Sequence, residues 1–286
     1  MAIETGLLLG RIPYVATGDG CESLLVVNGG QGFVRRSDPA KAARDAGRIA
    51  RMLPPGTSFV LMNYDPTPAA DLDAAAITRD VAQALAERWQ APVPIVGLSY
   101  GGLIAGRVAA AHPHLVSRLA LIASAHRFSA TGQARVRRQI DLLESDDLPG
   151  FTREFAALFR QPLLNQLVRL RLWMGRRRLR ESLAPATTVA RYLRAIVDAP
   201  PLACDRISVP TLIIGGDRDQ FFGDGAMNET AACITGARLE LLSRETHMAP
   251  VERPRSIASA LGNFVGADPS PQPSLRSSRR PSATKA

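Results

Sequence analysis

The chain has 286 residues, 46% of them hydrophobic, and a formal net charge of +9. That length accommodates one large α/β domain with an insertion, or two small domains. No run approaches the roughly 18 unbroken apolar residues of a membrane span, so a soluble globular protein is expected.

The chain opens "MAIETGLLLGRIPY", with Glu4 ahead of a very short apolar patch. A signal peptide wants a basic start and a longer apolar core, so none is expected and the location predicted is cytoplasmic. Residues 7–17 are candidates for antiparallel strands at one edge. Residues 24–27 form an apolar run that stops at "NGGQG", as a buried strand ending in a glycine loop does. A second strand, 58–62, is closed by Asn63 and Pro66. Residues 71–89 have helical periodicity, with Ile77, Val81, Leu85 and Trp89 on one face. A strand at 93–98 and a small-residue helix at 101–112 follow, then a strand at 118–124. The last strands are 209–216 and 237–242, and a closing helix covers 255–264.

Several of these strands are apolar throughout, as expected when both sheet faces are covered. Short strands alternating with helices predict an α/β fold with a doubly wound, mostly parallel sheet. The alternation breaks between His126 and Ser208, where helices are predicted at 131–145, 151–160, 163–174 and 186–197. This divides the chain into a core of residues 1–125 and 209–266, a helical cap at 126–208, and a tail at 267–286. The tail is Pro, Ser and Arg with almost nothing to bury, so it is expected to be disordered.

The positive charge is uneven. Residues 126–200 hold fourteen Arg against seven Asp or Glu, and the tail is also basic. The rest of the chain is close to neutral, which argues against a nucleic-acid partner. The run Arg169, Arg171, Arg176, Arg177, Arg178 and Arg180 reads first as a solvated helix face. Its sharper reading is contact of the cap or the tail with an anionic membrane, or with a phosphate-bearing substrate. The apolar cap residues Phe151, Phe155, Leu158 and Phe159, and the apolar residues from Leu163 to Trp173, are expected to pack on one another and on the sheet. Where they face the cleft, they would favour a hydrophobic substrate. Cys21, Cys204 and Cys233 are far apart with no paired spacing, so ordinary buried thiols are expected, without a disulfide or a zinc site.

The chemistry centres on "GLSYGG", where a strand gives way to a helix around Ser99. A serine hydroxyl is a poor nucleophile until a base takes its proton, and it must stand clear of the sheet. A tight strand-to-helix turn achieves that only with glycine two residues before and two after, the positions of Gly97 and Gly101. The following helix also directs its N-terminal N–H groups at the site.

"GLSYGG", "IIGGDRD" and "THMAPVERP" together resemble the α/β-hydrolase fold superfamily, its serine branch with a helical cap, in the order serine, acid, histidine. The resemblance covers roughly residues 20–265. Among four histidines, His112 and His114 flank Pro113 at a helix end expected on the far side of the sheet. His126 sits where the cap begins. His247 follows the last strand in a proline-bounded loop and is assigned as general base. The resemblance places the acid at Asp219, three residues past Gly216, with Asp217 and Asp224 as rivals. A calcium loop fails here, because its closing position would be Asn228 rather than Glu. The oxyanion hole implied is the backbone N–H of Tyr100 and that of Gly30, although the family often has His-Gly where this chain has Asn28-Gly29.

The reaction implied is hydrolysis of a small ester, lactone or thioester through an acyl-enzyme, with neither metal nor organic cofactor. The alternatives are an acyltransferase and a non-catalytic ligand-binding member of the fold. Substrate identity and oligomeric state stay open.

Overall fold

A computed structural model describes residues 3–18 and 24–265. Cys21 and the tail predicted to be disordered, 267–286, lie outside the described residues. The chain opens with a hairpin, β1 (Ile3–Leu8) and β2 (Ile12–Thr17), followed by β3 (Leu24–Val27). Next come α1 (Gln31–Val34), α2 (Pro39–Ala50), β4 (Phe59–Met62), α3 (Ala74–Arg88), β5 (Val93–Leu98), α4 (Tyr100–Ala111) and β6 (Val116–Ile122). Five helices then run without a strand between them: α5 (Ala130–Glu144), α6 (Leu148–Phe155), α7 (Pro162–Met174), α8 (Arg176–Ser182) and α9 (Ala186–Val197). The chain closes with β7 (Thr211–Gly216), α10 (Ala226–Cys233), β8 (Arg238–Leu242), α11 (Ala249–Glu252) and α12 (Pro254–Val265).

The strands make one eight-stranded sheet in the order β1-β2-β4-β3-β5-β6-β7-β8. Strands β3 to β8 are parallel, and β2 joins β4 antiparallel. The expected antiparallel edge is therefore present, and longer than residues 7–17. From β3 the chain moves to β4 on one side and then to β5 on the other. The carboxyl ends of β3 and β5 flank the resulting crevice, the place where such sheets bind ligands.

Local sequence explains the layering. Strand β3 is Leu-Leu-Val-Val because both of its faces are covered. Leu25 and Val27 face a layer containing Val81, Leu85, Leu103 and Val108 of α3 and α4. Leu24 and Val26 face Ala46 and Ile49 of α2 with Ile257, Leu261 and Phe264 of α12. Helix starts are marked by side chains: Asp38 accepts from the Lys41 N–H ahead of Pro39, and Asp73 accepts from the Ala76 N–H.

The long helical insertion is not a separate core. Val136, Ile140, Leu143, Val189 and Leu193 belong to the same buried cluster as β3 and α4. Two expectations need correcting. Cys204 and Cys233 are joined in a disulfide, with Cα atoms 5.7 Å apart and a sequence separation of 29. Sequence spacing missed this because β7 carries the chain away from Cys204 and α10 brings it back. The outer side of α7 is also not packed: Leu163, Leu167, Leu170 and Trp173 are exposed. Among the described residues, no helix is long and apolar enough to cross a membrane.

Candidate active site

Parallel register aligns the carboxyl ends of the central strands. Val27 pairs with Gly97, Leu98 with Ile122, and Ile122 with Ile214. Each loop leaving this edge therefore starts from nearly one level. Ser99 lies at the β5–α4 junction with φ 51° and ψ −116°, an unusual conformation for a non-glycine residue. Its own N–H donates to the Ile122 carbonyl (2.8 Å), which helps to hold the turn. A Cβ at residue 97 would strike Gly102 of the helix, and one at 101 would strike the carbonyls of Val27 and Asn28. Close approach of backbone to backbone is thus why both positions are glycine.

The loop after β8 lowers His247 onto this serine, with Nε2 2.9 Å from Ser99 Oγ. The loop after β7 presents Asp219, whose Oδ2 lies 2.8 Å from His247 Nδ1. The Asp219 side chain is fully buried, and its other oxygen accepts from the N–H groups of Phe221 (2.7 Å) and Phe222 (2.9 Å). A carboxylate only accepts, so Nδ1 carries the proton and Nε2 is left to accept from the serine hydroxyl. Gln220 Oε1 accepts from the His247 N–H (3.0 Å), and the Phe221 ring packs 4.7 Å from the imidazole. The aspartate, the histidine backbone and the ring are all fixed by one segment, Asp219–Phe222.

The rival residues stand elsewhere. Asp217 is exposed, and Asp224 accepts a hydrogen bond from Thr131. His126 bonds Thr230 (2.9 Å), where burial and the neighbouring Arg127 push its imidazole below the ordinary value. His112 and His114 lie beside each other at the far end of α4.

Gly30 and Tyr100 both border the cavity that contains Ser99 and His247. Tyr100 opens α4, and first-turn amides of a helix have no intrahelical acceptor. The Gly29 N–H is taken by Asn28 Oδ1 (2.9 Å), and among the described residues no acceptor meets the Gly30 N–H. The Asn28 amide in turn donates to Asn63 Oδ1 (2.8 Å), while the Tyr64 hydroxyl donates to the Asn28 carbonyl (2.6 Å). This support was missed from sequence. Asn63 and Tyr64 follow β4 directly, and only the pairing of β3 with β4 brings them under the loop. The Tyr64 and Tyr100 hydroxyls are buried, which pushes their pKa well above the usual phenol value. They stay neutral donors, Tyr100 to the Tyr192 carbonyl at 2.7 Å.

The cavity measures about 190 Å³. The helical insertion contributes Phe128, Val136, Gln139, Phe155, Leu158 and Leu193 to its wall. Of the four cap residues singled out by sequence, Phe155 and Leu158 line it. Phe151 instead supports Phe155 from behind, with ring centroids 5.1 Å apart. Gln139 is an exception in this apolar wall: it is only 2% exposed, and its Nε2 has no hydrogen-bond partner among the described residues.

Residues 37–254 match the family model of the alpha/beta hydrolase fold. Among curated proteins, the chain is 28% identical over 196 residues to the Bos taurus monoacylglycerol lipase ABHD6, covering 61% of this chain and 55% of that protein. It thus spans about half the length of the curated relatives it matches. Among solved structures, it is similar to an esterase from Exiguobacterium antarcticum, with TM-score 0.70, 19% identity, and 90% and 96% of the two chains covered. It is also similar to the enol-lactonase from Burkholderia xenovorans LB400, with TM-score 0.66, 20% identity, and 92% and 100% covered. These last two likenesses speak for the fold alone. With the family model spanning most of the chain, the protein belongs to the alpha/beta hydrolase fold family.

Proposed function

We propose that the protein is a serine hydrolase acting on a small, largely apolar carboxylic ester, lactone or thioester. The observation that carries this reading is the unbroken chain Ser99 Oγ, His247 Nε2, His247 Nδ1 and Asp219 Oδ2, with steps of 2.9 and 2.8 Å, at the wall of a largely apolar cavity. Ser99 attacks the carbonyl carbon while His247 takes its proton. Asp219 keeps the imidazole in the productive tautomer and stabilises its charged form. The N–H groups of Gly30 and Tyr100 hold the oxyanion. His247 then returns the proton to the leaving alcohol or thiol, and water activated by the same imidazole releases the acyl group.

Within the helical insertion, α5, α6 and α9 act as a cap over the cavity. Its small volume favours a short acyl or alcohol group. Gln139, an unpartnered amide in an apolar wall, meets an oxygen of the substrate other than those of the reacting group. A buried amide left unpaired is destabilising, so a substrate that satisfies it is favoured over an isostere that does not. The disulfide favours maturation in an oxidising compartment over the cytoplasmic location expected from the N-terminus, and fractionation with thiol labelling tests that.

A fluorophosphonate probe should label the wild type and not Ser99→Ala, and hydrolysis of a chromogenic ester series should fall to background in that variant. Labelling that survives the substitution would refute the assignment. Label without turnover would favour a ligand-binding role, and transfer to added alcohols outpacing hydrolysis would favour an acyltransferase.

A further inference from the structure

Helices α7 and α8 differ from the other α-helices of the fold: neither buries a single residue. The inner side of α7, with Leu164, Val168 and Leu172, is half-buried against the protein. Leu163, Leu167, Leu170 and Met174 recur every three or four residues, and so form one outward stripe. Each is at least half exposed, with Leu163 at 77%, and Trp173 stands beside them at 63%. A contiguous apolar face left in solvent marks an interaction surface.

Its charge identifies the partner. Among the described residues, Arg169, Arg171, Arg176, Arg177, Arg178 and Arg180 make no ion pair with a carboxylate. Glu181 is the only acid between residues 160 and 185. The Arg176 guanidinium lies over the Trp173 ring at 5.1 Å, which joins the cationic and apolar parts into one face.

We propose that α7 and α8 form a docking face for an anionic lipid surface. The leucines, Met174 and Trp173 enter the boundary between headgroups and acyl chains, and the arginines meet the phosphates. Self-association through the same stripe would bring six unpaired arginines of one copy against six of another. A nucleic acid would satisfy the arginines but leave the leucines wet. The face begins close to the cavity, since α7 starts at Pro162 and Leu158 is a wall residue. The inference does not depend on catalysis, so Ser99→Ala should bind lipid as the wild type does.

The full-length protein is to be floated with vesicles of phosphatidylcholine alone or mixed with phosphatidylglycerol, at low and high salt. Binding is expected only to the anionic vesicles and should weaken with salt. Removing arginines from such a face costs roughly fivefold in affinity each, so Arg176→Gln/Arg177→Gln/Arg178→Gln should bind about a hundredfold more weakly. Leu163→Ser/Leu167→Ser/Leu170→Ser should lose roughly tenfold or more. Unchanged thermal midpoints would show that both variants fold.

Equal uptake by neutral vesicles would overturn the proposal, as would full binding by both variants. Loss of binding only in Arg276→Gln/Arg279→Gln/Arg280→Gln would assign the contact to the tail and overturn it as well. So would a dimer in sedimentation velocity that disappears with the leucine variant.

Discussion

The inner and outer halves of the helical insertion are both rich in arginine and leucine, yet they meet different fates. In the inner half, α5 and α9 turn Val136, Ile140, Leu143, Val189 and Ile196 into the common core. Their arginines find carboxylates: Arg135 and Arg138 pair with Glu154, Arg137 with Asp198, and Arg194 with Glu144. In the outer half, α7 and α8 place leucines on two opposite sides of one helix, and the protein can cover only one of them. Their arginines have almost no acid nearby in sequence and, among the described residues, none within ion-pair distance. The difference teaches that composition does not set the role of such a segment. The angular placement of apolar residues and the supply of acids do.

That contrast can be sharpened by experiment, starting at the site the inner half covers. Asp219→Asn should lower kcat by roughly a thousandfold to ten-thousandfold. An amide nitrogen facing His247 Nδ1 would favour the tautomer with hydrogen on Nε2, which cannot accept the serine proton. Steady-state kinetics with unchanged far-UV circular dichroism would check it. Replacing both members of the Cys204–Cys233 bridge with serine should lower stability by about 3–4 kcal/mol, given the 29-residue separation. Urea unfolding measures this, and no change would mean that the bridge does not restrain the unfolded chain.

The two halves can then be compared directly. Ile140→Ala, at a position 6% exposed, should cost about 2–5 kcal/mol by removing buried methyl groups and leaving a cavity. Leu167→Ala, at 61% exposed, should change stability by less than about 0.5 kcal/mol. Equal losses at the two positions would break the distinction between the halves.

Much of the site was legible in sequence because its local geometry is dictated by short stretches. Gly97 and Gly101 identify the turn at Ser99, since only glycine fits where backbones nearly touch. The order of the three motifs pointed to Asp219 and His247, which the loops after β7 and β8 bring together. Partners contributed across strands were not legible. Asn63 and Tyr64 act on the Asn28 loop through the β3–β4 pairing, and Gln139 reaches the cavity only because α5 folds over it.

By itself, the sequence determined the alternating elements, the covered sheet and the serine turn. Each follows from hydrophobic period or from steric limits within a few residues. Tertiary structure alone decided that Cys204 meets Cys233, that Gln139 enters the cavity wall, and that the outer leucines of α7 remain in solvent. Those outcomes depend on distances between segments remote in sequence, and chain closure sets such distances only when the whole sheet has formed.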